Sequence, residues 1–154
     1  MINSEMYMSY TYLSMSYYFM RDGVALKGCS DWCMRHSEEE REHAKELAEF
    51  QVERGGIVQF FEIYKPEKDD WGSPLEAMEH ALACEKRHNE KMIALHALAH
   101  KHNDGHMANF IEDKFLDEEV EELKEISDII TNLKRCGTGL GEYIMDKETM
   151  AKTD

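Results

Sequence analysis

A chain of 154 residues suits a single domain with a sizeable core. Its formal charge of -14 at pH 7 and pI near 4.9 exclude the basic footprint that nucleic acid or an anionic membrane requires, which leaves cations as the natural guests. Two prolines, nine glycines and abundant Glu, Leu, Ala, Lys and Met point to an all-α fold.

From Met1 to Met20 the residues Ile2, Met6, Tyr10, Leu13, Tyr17 and Met20 recur at helical spacing, uninterrupted by proline or glycine, and predict a first helix. Glu5 sits among them, and Tyr12 lies two turns further along the same face. The pattern is at full strength from the first residue with no cap ahead of it, so the chain is expected to begin inside an element. Arg21, Asp22 and Gly23 make a turn, and a second helix runs to about Arg54, where Gly55 and Gly56 stop it.

That second helix holds H-S-E-E-E-R-E-H-A-K-E-L between His36 and Leu47. Glu40 and His43 are three apart and share a face, which sets a hard carboxylate one turn from an imidazole, a ligand pair for iron, manganese or zinc. Their stripe otherwise reads Cys29, Trp32, Cys33, Ala44 and Leu47, so two ionisable groups interrupt a core-facing row and need partners there. Glu38, Glu39, Arg41, Glu42, Lys45, Glu46 and Glu49 read by default as a solvated face.

From Gly55 to Ser73 there is no helical period, and compact domains seldom contain so long a loop without a reason. Extended at ~3.3 Å per residue it reaches ~60 Å, more than the ~42 Å of a long helix, and is read as a crossover. Ser73, Pro74 and Glu76 form a capping-box start for a third helix to about His102. Asn103, Asp104 and Gly105 turn the chain into a fourth helix ending near Cys136, with Leu116, Val120, Leu123, Ile126, Ile130 and Leu133 as its inward row. Glycines 137, 139 and 141 break it, and a short amphipathic piece with Leu140, Ile144 and Met145 follows, too short to be stable unless packed.

Cys29, Cys33, Cys84 and Cys136 lack both C-x-x-C spacing and disulfide density, and read as reduced, buried thiols. With no apolar run of membrane-spanning length and no basic segment before the aromatic start, the expectation is a cytoplasmic protein without membrane partner or signal peptide. His80, His88, His100, His102 and His106 read as surface or turn histidines, and the eleven methionines as gap-filling core.

Four long helices joined short, long, short give two antiparallel pairs and one crossover, the topology in which inward carboxylates build di-iron sites. Glu5 on the first helix, Glu40 and His43 on the second, Glu85 between Leu82 and Met92 on the third, and Glu119 between Leu116 and Leu123 on the fourth all lie on apolar stripes, with Glu122 one turn on. Unpaired, such acids repel and are driven to protonate, whereas two metal ions neutralise them.

At these residues the chain resembles the eukaryotic ferritins of catalytic heavy-chain type, through M-S-Y-T-Y-L-S-M-S-Y-Y-F, R-D-G-V-A-L-K-G, E-E-E-R-E-H-A, E-R-G-G, K-P-E-K-D-D-W-G-S, H-N-D-G-H and G-L-G-E-Y-I-M-D-K. The resemblance implies a ferritin-like four-helix bundle, residues 1–154 as one domain, with a short fifth C-terminal helix. It implies a ferroxidase, oxidising Fe(II) with dioxygen at two irons per subunit, for which other divalent cations can substitute. The ferric mineral is then stored in a hollow homo-oligomer expected to have 24 subunits. The ferroxidase centre falls on Glu5, Tyr12, Glu40, His43 and Glu85, with Glu40 able to bridge and Tyr12 an outer hydrogen-bond donor. Glu119 stands where heavy chains usually hold glutamine and Glu122 where a small residue is common, and both add hard oxygen ligands. Glu39 and Glu42 match acids that seed mineral, with Lys45 departing from a third. Glu112 and His96 match an entry channel in which Asn109 replaces an aspartate. Glu148 replaces a histidine, and the first helix is shortened relative to the family.

Two other readings compete with this one. A passive shell subunit that only nucleates mineral has no use for the ligand set Glu5, Glu40, His43 and Glu85, and a non-storage di-iron protein has no use for the short C-terminal helix.

Overall fold

The computed structural model describes residues 1–151, and among them there are five helices and no strand. α1 is Ile2–Met20, α2 Lys27–Glu53 and α3 Pro74–Lys101. α4 runs as Gly105–Ile111 and Asp117–Cys136 through a π-helical turn at Glu112–Leu116, and α5 is Leu140–Met145, continued by a second π turn at Asp146–Met150. The expected order of four long helices, one long crossover and one short helix is therefore present. The chain forms two compact units, one of residues 1–74 with the segment from Cys136 onward, the other of residues 75–135.

In the first unit α1 and α2 are antiparallel, and serines set how closely they approach. Ser9 Oγ donates to the Ser37 carbonyl and Ser37 Oγ to the Ser9 carbonyl, each at 2.7 Å, while Ser16 Oγ donates to the Ser30 carbonyl at 2.8 Å. Ser9 and Ser16 on α1, like Ser30 and Ser37 on α2, are two turns apart on one face, so each helix meets its partner twice at one register. Each bond contributes about 1 kcal/mol net and would cost more if one member were left buried and unpaired. Around them Met15, Phe19, Trp32 and Cys33 are fully buried, each large side chain worth about 1.5–3 kcal/mol.

The sequence row of α1 needs correction. Tyr10, Tyr17 and Met20 are exposed, and the buried row is Glu5, Met8, Tyr12, Met15 and Phe19. Apolar and aromatic residues fall on every side of α1, with serines and a threonine among those that are buried, so the period of the pattern does not say which side faces in.

The crossover does what its length allows. Asn3 Nδ2 donates to the Glu62 carbonyl at 3.0 Å, Trp71 Nε1 to Ser14 Oγ at 3.1 Å, and the Tyr18 hydroxyl to the Gly72 carbonyl at 3.0 Å. It therefore returns alongside α1 from one end to the other, anchored by the buried Trp71.

The C-terminal segment docks on the start of α2. Asp146, fully buried, accepts the Cys29 N–H at 2.8 Å, satisfying a donor that the first turn of a helix leaves open. The Cys29 thiol donates to Met150 Sδ at 3.3 Å. Gly28 permits the approach, because a Cβ there would lie 1.9 Å from the Asp146 carbonyl oxygen. Of the three apolar residues expected to pack in this piece, only Met145 is buried, while Leu140 and Ile144 are exposed.

The second unit is the α3–α4 hairpin, again antiparallel. Lys134 meets Glu79 at 2.7 Å near one end, and His96 meets Glu112 at 2.6 Å near the other. Asp104 caps α4 through the Met107 N–H at 3.1 Å, and Asn103 takes the left-handed φ of 56° that the tight turn requires. In the expected inward row of α4, Ile126, Ile130 and Leu133 are buried, Leu116 and Leu123 are half-buried, and Val120 is exposed. The π turn inserts an extra residue per turn just before it and rotates the face.

Cys29, Cys33 and Cys84 are buried free thiols as expected, but Cys136 is exposed at the end of α4. Burial pushes the Cys29 and Cys33 thiols well up. An aromatic disulfide reagent should therefore titrate one thiol of the four in native protein and all four after denaturation; rapid native reaction of a second would contradict this packing. Gly28→Ala should cost about 1–3 kcal/mol in denaturant unfolding and should loosen hydrogen-exchange protection from Leu140 onward before it does so elsewhere.

Candidate metal centre

The antiparallel register of α1 and α2 brings Glu5 against the Glu40–His43 turn. One ligand atom from each of the three lies within 4.8 Å of the others. Glu40 Oε2 is 3.5 Å from His43 Nδ1, Glu5 and Glu40 are buried, and His43 is half-buried. The three residues that the sequence singled out on these two helices thus converge. Two carboxylates so near each other away from water raise one another's proton affinity, and a cation among them relieves the repulsion. The donor set, two hard carboxylates and one imidazole, fits Fe(II), Mn(II) or Zn(II).

Tyr12, two turns after Glu5 on α1, is wholly buried. Its ring centroid is 5.8 Å from that of Trp32, edge to face, and 5.4 Å from that of His36, whose own ring is 3.7 Å from Trp32. His36, not among the expected ligands, is buried in this aromatic group. Its signal was its place in the row Cys29, Trp32, Cys33, His36 and Glu40.

In the α3–α4 hairpin Glu85 is fully buried and Glu119 nearly so, with Glu122 half-buried one turn on. His88, expected at the surface, is instead 3% exposed, with Nε2 3.7 Å from Glu119 Oε1. The stripe through Met78, Ala81, Glu85, His88 and Met92 is buried throughout, and the place of His88 three residues after Glu85 puts it on that stripe, which the residue type alone does not indicate.

The remaining acids are peripheral. Glu39 is exposed and 3.4 Å from His36 Nδ1, and Glu42 is exposed and paired with Lys45. Near the hairpin turn His96, His100 and Glu112 bring ligand atoms within 4.8 Å of one another, with Glu112 on the π turn and Asn109 exposed. His100, expected at the surface, is exposed, and its ring lies 4.5 Å from that of His96.

A family model for ferritins, described as a ferritin-like domain, matches residues 1–136. The chain is similar to a soma ferritin of Lymnaea stagnalis, 53% identical over 152 residues that cover 99% of this chain and 87% of the relative. It is also similar to a ferritin heavy chain of Echinococcus granulosus, 50% identical over 149 residues that cover 97% and 86%.

Metal-free Glu5→Gln should be more stable than the parent by about 1 kcal/mol or more in thermal unfolding, since it removes one of two facing buried charges. The order should reverse when Zn(II) is added, because the parent gains more from the ion. A loss of stability in both conditions would mean that Glu5 is held by fixed protein partners instead.

Proposed function

This chain belongs to the ferritin family, and on that premise we propose that it is an iron-storage subunit that oxidises its own cargo, taking Fe(II) and dioxygen to ferric oxide held inside a hollow homo-oligomer. The observation that supports this best is the buried meeting of Glu5, Glu40 and His43 in a chain half identical to a protein named ferritin heavy chain.

In this reading Glu5, Glu40 and His43 hold the first ferrous ion, and Glu85 and Glu119 hold the second, with Glu122 in reach as an added oxygen ligand. Two Fe(II) give up one electron each, so dioxygen receives a pair and no one-electron product is released. The carboxylates neutralise the growing positive charge as Fe(II) becomes Fe(III). Tyr12 donates a hydrogen bond from outside the ligand set, and its ring contacts with Trp32, edge to face, and with His36 hold it in place. The imidazole of His43 tunes the first position toward a transition metal over Mg(II) or Ca(II).

Storage needs a shell. Tyr10, Tyr17 and Met20 on α1, with Ile57, Phe60, Phe61 and Tyr64 on the crossover, are exposed, more apolar surface than a monomer of this size keeps for itself. That surface supports assembly with further copies, and 24 is the number the family resemblance gives. His96 and Glu112, with His100 beside them, serve as a cation entry point at the α3–α4 turn, and Glu39 and Glu42 as acids against which mineral starts. From the family resemblance we read the chain as one domain acting in the cytoplasm; separately, among the described residues no helix is long and apolar enough to cross a membrane.

Aerobic addition of Fe(II) to purified protein tests both halves of the proposal. Glu40→Ala/His43→Ala should lower the initial rate of ferric absorbance by about tenfold to a hundredfold while particle size stays that of a large cage. Equal initial rates would remove the catalytic claim, and a particle of one or two subunits would remove the storage claim.

A further inference from the structure

Near the α3–α4 turn a second group of nitrogen and oxygen donors lies within one hairpin. His96 and His100 are four residues apart on α3 and share a face, and Glu112 reaches them from α4. One ligand atom from each lies within 4.8 Å of the others. His96 Nε2 and Glu112 Oε1 are 2.6 Å apart, and the two imidazole rings meet edge to face at 80° with centroids 4.5 Å apart. Glu112 opens the π turn, a distortion of the helix that recurs at functional sites.

Two ordinary explanations account for only part of this. A hydrogen bond to Glu112 explains His96, and the negative end of the α3 dipole explains a histidine beside Lys101 in the last turn. Neither requires a ligand nitrogen of His100 to lie within reach of the Glu112 carboxylate. Two imidazoles at i and i+4 on one helix, joined by a carboxylate from a neighbouring element, are a general chelate for transition metals. The Glu112 side chain is 50% exposed, so it can draw back from His96 by the few tenths of an ångström that an ion bonded at about 2.0–2.2 Å to each atom requires.

We infer that His96, His100 and Glu112 form a Cu(II) chelate complete within one subunit, built of two imidazole nitrogens and one carboxylate oxygen, with its remaining positions open to water. A site of mixed nitrogen and oxygen donors takes Cu(II) ahead of Zn(II), and well ahead of Fe(II), and an exposed site leaves room for the tetragonal arrangement that Cu(II) adopts. The inference deepens the reading of this group as a cation entry point and rests on it only for the residues involved. What it adds is an ion that stays where Fe(II) passes.

The test uses assembled, iron-free protein carrying Glu40→Ala/His43→Ala, so that the buried centre does not compete, and Cys136→Ser, so that the exposed thiol does not reduce Cu(II). With one equivalent of Cu(II) per subunit, pulsed electron paramagnetic resonance should show modulation from two coordinated imidazoles. His100→Ala in that background should leave one imidazole and weaken Cu(II) binding by about tenfold or more, since losing even a residue behind the ligands costs that much. Glu112→Gln should weaken binding while keeping both imidazoles. His102→Ala, two residues beyond the group, should change neither signal nor affinity. A background protein without the two-imidazole signal, a His100→Ala variant that keeps it at unchanged affinity, or its loss in His102→Ala would overturn the inference. None of these results bears on iron entry, which is judged by the rate of Fe(II) oxidation in protein with an intact buried centre, so the two failures are distinguished.

Discussion

Two buried carboxylates held within a few ångströms of each other are the constraint that the rest of this molecule answers to. At an effective dielectric near 20, two like charges about 4–5 Å apart repel by roughly 3–4 kcal/mol, a large share of the net stability of a small domain. Glu5 and Glu40 accept that arrangement. The helices around them must therefore draw their stability from elsewhere, and the site must offer a bound cation something that water cannot.

The stability comes from contacts flanking the acids. Above the site along α1 and α2, the reciprocal Ser9–Ser37 bonds and the Ser16–Ser30 bond hold the helices at one register, and the aromatic group of Tyr12, Trp32 and His36 fills the space between them. The crossover is pinned to α1 at Asn3, Ser14 and Tyr18, so the helix that supplies Glu5 is held on a second side. At the far end Asp146 closes the N-terminus of α2 from the C-terminal segment. A ligand displaced by an ångström would lose much of its value to a metal, and these contacts define the position to that tolerance.

Histidines illustrate how differently one residue type is used in this chain. His43 is half-buried and beside Glu40, His36 is stacked on Trp32, and His88 faces Glu119 in the dry interior of the hairpin. His102 and His106 are exposed near the α3–α4 turn. What separates them is their phase on the helix relative to the buried stripe, which no property of the imidazole itself reveals.

The sequence by itself determined the helices, their breaks and the identity of the acids on buried stripes, because glycines, proline and polar turn residues act locally and a charged residue within an apolar row is visible at once. It also determined that the long segment before Pro74 crosses over, since nothing else explains its length. Only the tertiary structure decided which side of α1 faces inward, since apolar and aromatic residues fall on every side of that helix, its buried face includes polar residues, and the choice is made by what α2 presents to it. The same holds for Val120, turned outward after a π turn that leaves no sequence signal, and for His88, whose burial depends on the stripe of α3 meeting α4. Periodicity says which residues share a face; only packing against a partner says where that face looks.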